Sequence, residues 1–124
     1  HVATGVSSLH AEGHYGGGIM IGVIDSGVDY THPALGGCFG TGCKVAYGYD
    51  FVGDNYDGSN TPQPDDDPKE ECTGANRKHG TMVAGIIAAK TKSLVGVAPD
   101  AVLGAYRVTG CNNKASAPIV AAAM

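Results

Sequence analysis

Basic residues are scarce, 8 Lys and Arg against 12 Asp and Glu, so no basic patch argues for a nucleic-acid partner. No apolar run approaches the ~20 residues that a membrane-spanning helix needs, so a membrane role is not expected either. The opening at His1 lacks the basic start and hydrophobic stretch of a secretory leader. If the protein is exported, the sequence reads as a mature form. Tryptophan is absent while glycine takes 20 of 124 positions, which points to a compact, loop-rich fold with close backbone approaches. A chain of this length is one domain's worth, or a piece of a larger one, and can bury about two-thirds of its unfolded surface.

The informative stretch runs from Ile19 to Pro33. Ile19 to Ile24 carries no charge and is rich in apolar and β-branched side chains, the pattern of a strand buried on both faces. It ends in Asp25-Ser26-Gly27. A carboxylate at the end of a buried strand is costly without partners, and in open α/β sheets that edge is where chemistry sits. Asp25 is therefore the first candidate functional residue.

The rest of the chain predicts an α/β pattern. Val2 to Gly13 reads as a brief helix, with Thr4 as N-cap and Gly13 as its end. Pro33-Ala34-Leu35 suits a short helical turn, Lys44 to Val52 a second strand and Ala101 to Val108 a third. His79 to Ala89 is apolar beyond its start and suits a buried helix, with Gly80 and Gly85 as close-packing points. A last helix begins at Ser116, with Pro118 in its first turn. It stops at Met124 without a C-cap, as if cut inside an element. Strands alternating with helices favour a parallel sheet.

Two further features leave alternatives open. The segment from Gly53 to Lys78 is polar and holds Asp54, Asp57, Asp65, Asp66, Asp67, Glu70 and Glu71. It reads as a solvated surface loop in preference to a cation site or a wall for basic substrate residues, and it has no EF-hand spacing. The four cysteines allow three full pairings, or four free thiols. Gly40 and Gly42 make a local Cys38–Cys43 bridge sterically easy, which would leave Cys72 with Cys111. The spacing of the second pair matches no zinc knuckle.

Asp25 at a strand end and His79 at a helix start are the orienting half of a Ser-His-Asp relay. There the carboxylate fixes the imidazole tautomer while the other ring nitrogen takes the nucleophile's proton. With their flanks they are more specific. Val23-Ile24-Asp25-Ser26-Gly27-Val28-Asp29 with His32-Pro33, then His79-Gly80-Thr81 before Val83-Ala84-Gly85, resembles the subtilisin-like serine proteases, or subtilases. Gly96-Val97-Ala98-Pro99 and Ala105-Tyr106-Arg107-Val108 extend the resemblance over most of the chain. With Tyr49-Asp50-Phe51-Val52-Gly53-Asp54, it is nearest to secreted fungal and Vpr-like bacterial members.

The resemblance implies a three-layer α/β fold around a parallel central sheet, of which residues 1–124 are the N-terminal portion of a catalytic domain. It implies a secreted serine endopeptidase acting on polypeptides, with Asp25 orienting the base His79 and Ser26 holding the Asp25 carboxylate. It places Thr109, Gly110, Asn113, Lys114 and Ala115 on an edge where an extended peptide pairs. The extracellular setting favours bridges Cys38–Cys43 and Cys72–Cys111. The nucleophile, in a Gly-Thr-Ser motif, and the Asn oxyanion donor are not in this sequence, so the remainder of the catalytic domain is an implied partner. The chemistry needs no cofactor. Ala34 stands where a calcium-ligand Asp is common, so no metal site is carried over, although structural calcium occurs in the family.

Three departures stand beside these expectations. Met82 replaces a second His, with an effect expected on packing only. Gly74 to Lys78 lengthens the approach to His79. Lys78 beside the base is expected to lower its pKa. Two rival readings remain. One is a subtilase fragment acting as a binding or assembly module. The other is an aspartic protease through Asp25-Ser26-Gly27, which leaves the His79 motif unexplained.

Overall fold

A computed structural model describes residues 1–73 and 78–124 of the chain. Three parallel strands form the sheet: β1 (Met20–Asp25), β2 (Val45–Asp50) and β3 (Val102–Arg107). β3 lies in the middle, between β1 and β2. Helix α1 (Val6–Ala11) precedes the sheet, α2 (His79–Ala88) sits between β2 and β3, and α3 (Ala117–Ala122) follows β3. A 3-10 turn spans Pro33–Leu35. The parallel α/β architecture expected from the sequence is present.

The core forms where small and branched side chains of α2 meet the sheet. Val23, Val45, Leu103 and Ala105 pack with Ala84 and Ala88, joined by Val28 and Leu35. Gly80, Ala84 and Ala88 fall at helical spacing on one side of α2, so the helix lies close on β1 and β3. Full burial of a residue such as Leu103 contributes about 1.5–3 kcal/mol of transfer free energy.

Several local expectations change. α2 is not buried all round: Met82 and Ile86 are 59% and 67% exposed. Met82 therefore lies over an open groove with His32, Leu94 and Val95 and is not packed in a core. Gly85 has open space where a Cβ would stand, so only Gly80 of the two glycines marks a close approach. β1 is not buried on both faces either. Met20 is 69% exposed, and the sheet face bearing Gly22, Tyr47 and Tyr106 is open. A continuous apolar run cannot distinguish a strand covered on both faces from one covered on a single face within the chain at hand. At α1 the N-cap is Gly5, while the Thr4 hydroxyl donates to the carbonyl of His1.

Both cysteine pairs are bridged, Cys38 to Cys43 and Cys72 to Cys111. The first closes the glycine loop before β2. The second fastens the acidic loop to the segment leaving β3.

Candidate active site

The carboxyl ends of the three strands are aligned in one row: Asp25, Arg107 and Asp50 are register partners across the sheet. Three charged side chains at that edge follow directly from strands that are otherwise apolar up to their last residue. Two of them pair with each other, and Arg107 Nη1 also reaches Asp54 Oδ1 at 2.7 Å. Arg107 and Asp50 are both almost fully buried, with Nη1 to Oδ2 at 3.1 Å. Burial pushes the Asp50 carboxyl upward, against the opposing hydrogen bonds of the Gly53 and Val52 N–H groups and the Arg107 charge.

Asp25 is left for a different partner. His79, the first residue of α2, brings Nδ1 to 2.8 Å from Asp25 Oδ1 and 2.9 Å from Oδ2. Asp25 is further held by the N–H of Ser26, which donates to Oδ1 at 2.7 Å. The Asp25 side chain is 18% exposed and that of His79 63% exposed. Among the described residues, the pair is thus anchored at its acidic end and open at the imidazole, with Nε2 left for another group. The hydrogen bond that Nδ1–H donates to Asp25, and then the Asp25 charge, raise the His79 pKa above the ordinary 6.5; Glu70 adds in the same sense.

The expected hydrogen bond from Ser26 to Asp25 is made by the backbone, and the expectation for Lys78 is corrected. Ser26 reaches the Asp25 carboxylate through its N–H, while its hydroxyl is turned elsewhere. The hydroxyl donates to Glu70 Oε2 at 2.9 Å and accepts from the Gly80 N–H at 3.1 Å, so only the Ser26 backbone serves Asp25. Lys78 does not lower the base's pKa. Its ammonium turns to Asp29 Oδ2 at 3.1 Å, where a carboxylate neutralises it. The extension before His79 falls largely on residues 74–77, outside the described residues.

Thr109, Gly110, Asn113, Lys114 and Ala115 leave the sheet beside this edge, the Val108 N–H donating to the Asp25 carbonyl at 2.9 Å. They do not form a strand. Asn113, with φ 60°, donates its N–H to the Gly110 carbonyl at 3.0 Å, and Lys114 N–H to Asn112 Oδ1 at 3.0 Å. Gly110 is pressed on the Tyr56 carbonyl, where a Cβ would come within 2.2 Å. Lys114 and Ala115 are exposed. The Thr109 hydroxyl is buried without a hydrogen-bond partner among the described residues.

Glu70 was missed by sequence reasoning, which placed it in a solvated loop. It is 5% exposed. Nothing in the run of carboxylates around it distinguishes it from its neighbours. The Asp50–Arg107 pair was also missed, although a lone arginine inside an apolar strand is a signal of a buried partner. Among the described residues, Asp54, Cys72 and Cys111 are near enough to share a metal ion, but both thiols are spent in the disulfide.

The sequence model of the Subtilase family matches residues 16–124. The chain belongs to that family. The subtilase chain is 48% identical over 98 residues to the minor extracellular protease Vpr of Bacillus subtilis (strain 168), covering 79% of this chain and 11% of that protein. It is 43% identical over 81 residues to a thermophilic serine proteinase of Bacillus sp. (strain AK1), covering 65% and 15%. Against subtilisin E of Bacillus subtilis (strain 168) the identity is 36% over 103 residues, covering 82% and 21%. The chain therefore spans between about a tenth and a fifth of these relatives. None of the described helices is long and apolar enough to cross a membrane.

Proposed function

We propose that this chain supplies the acid and base of a secreted serine endopeptidase of the subtilisin type. The observation that carries the reading is the contact of both Asp25 oxygens with His79 Nδ1 at the carboxyl edge of a subtilase sheet. A carboxylate on Nδ1 fixes the tautomer that leaves Nε2 able to accept a proton. When Nε2 takes the nucleophile's proton, the neighbouring Asp25 charge stabilises the imidazolium that forms. Later the imidazolium returns the proton to the leaving amine.

The nucleophile is a serine beyond Met124, supplied with the oxyanion donors by the remainder of the catalytic domain. The chain's own serines lack a Gly-Thr-Ser setting. Polypeptides are the substrates, and the exposed stretch from Lys114, with Thr109 behind it, is the edge along which an extended peptide lies. The relative named as an extracellular protease and the two disulfides support an extracellular setting. No cofactor enters the proposed chemistry.

Peptide hydrolysis by the complete protein tests this reading. Hydrolysis blocked by serine-directed inhibitors and reduced by about six orders of magnitude in kcat on His79→Ala is expected. Hydrolysis that survives His79→Ala contradicts it.

A further inference from the structure

We propose that Glu70 is a positioning residue for the Asp25–His79 pair, its carboxylate fastening the turn that carries His79 to the end of β1. The inference rests on the reading of Asp25 and His79 as orienting acid and base.

Glu70 is bound to both chain neighbours of His79. On one side the Lys78 N–H donates directly to Glu70 Oε1 at 2.9 Å. On the other the link passes through Ser26, whose hydroxyl donates to Glu70 Oε2 at 2.9 Å and accepts from the Gly80 N–H at 3.1 Å. Ser26 is itself the residue whose backbone N–H holds Asp25 Oδ1. One buried carboxylate therefore fixes the backbone before and after the imidazole, relative to the residue that fixes its partner.

The chemistry of the contacts suits an ionised acceptor. Both neighbours donate, one through O–H and one through N–H, and neither Glu70 oxygen is required to donate. A buried carboxylate without such bonds is expensive. Among the described residues no cation forms an ion pair with Glu70: Lys69 turns to Glu71 at 2.9 Å and Lys78 to Asp29 at 3.1 Å. Among the described residues, the charged groups around His79 are Asp25 on β1, Glu70 from the loop, and the Lys78–Asp29 pair, whose charges offset each other. Glu70 thus adds negative charge on the side where an imidazolium forms.

A purely structural role predicts lost stability and nothing else. The positioning role predicts separate effects on geometry and on charge, and two variants of the complete protein distinguish them. Glu70→Gln keeps the size, removes the charge and leaves one acceptor for two donors, Ser26 O–H and Lys78 N–H; it is expected to lower kcat by between about ten- and a hundredfold with KM little changed, through misplacement of the base. The acid limb of its pH–rate profile should move to lower pH. Ser26→Ala cuts the tie to Gly80 but leaves the charge, so kcat should fall while the limb stays. The His79 titration, read by NMR in the same proteins, should move down in Glu70→Gln and remain in Ser26→Ala. If the unaltered protein hydrolyses peptides but neither variant changes kcat, and the His79 midpoint stays put in Glu70→Gln, the proposal is overturned. An unaltered protein that does not hydrolyse peptides overturns the peptidase reading instead, and the NMR midpoint then decides the Glu70 contact alone.

Discussion

Gly80 lies so close to Gly27 that a Cβ placed on it would stand 2.2 Å from the Gly27 carbonyl oxygen and 3.2 Å from the Asp25 side chain. Both obstacles belong to the strand end that carries the candidate acid, and the nearer is backbone, which cannot swing aside. The second residue of α2 must therefore be glycine for His79 to reach Asp25.

Gly80→Ala should force α2 away from β1 by lengthening that approach. Overpacking of this kind costs roughly 1–3 kcal/mol, and a backbone obstacle places it at the upper end. Denaturant unfolding would show the loss, and the His79–Asp25 hydrogen bond should lengthen. Gly85→Ala is the control: nothing lies within 4 Å of its Cβ, so helix propensity should make it neutral or stabilising. Equal destabilisation by both changes would refute the close-approach account.

The Asp25 hydrogen bond and charge raise the His79 pKa above 6.5, which sets the sign of two pH effects. The protonated ring is favoured in the folded state, so its stabilising contribution is complete below the unfolded value. It is lost as pH rises through the raised folded value. Catalysis runs the other way, because the proposed base must be neutral, and its acid limb lies above that of an ordinary imidazole. Asp25→Asn should lower the His79 midpoint in an NMR titration and reduce kcat by about four orders of magnitude with the fold intact. An unchanged midpoint would remove Asp25 from the site.

Asp25 and His79, which the structure brings into contact, were legible as candidates in the sequence because each has a local cause. A charge-free run that ends on Asp25 marks a strand's carboxyl edge, and His79 opens a run of small apolar residues that makes a helix. Glu70 was not legible. Its burial depends on the loop folding back on Ser26, a contact 44 residues apart that no local pattern encodes. The exposed side of α2 was misjudged for a related reason. Met82 and Ile86 are apolar, and periodicity alone cannot tell an apolar side chain in the core from one left facing outward.

The two disulfides should contribute unequally. Cys72–Cys111 spans 39 positions and Cys38–Cys43 spans 5. In the chain-entropy picture, loops of these sizes give about 4 and about 2 kcal/mol. Replacing each pair by alanines and measuring unfolding should therefore show the larger loss for Cys72–Cys111. The opposite order would mean that unfolded-state loop closure is not what these bridges control.

The account's central claim is that His79, oriented by Asp25, activates a serine outside residues 1–124. Reaction of the complete protein with a fluorophosphonate, followed by peptide mapping, tests it most directly. One serine beyond Met124 should be labelled, far more slowly after His79→Ala, while residues 1–124 alone stay unlabelled. Labelling on Ser7, Ser8, Ser26, Ser59, Ser93 or Ser116, or labelling at an unchanged rate without His79, would contradict the claim.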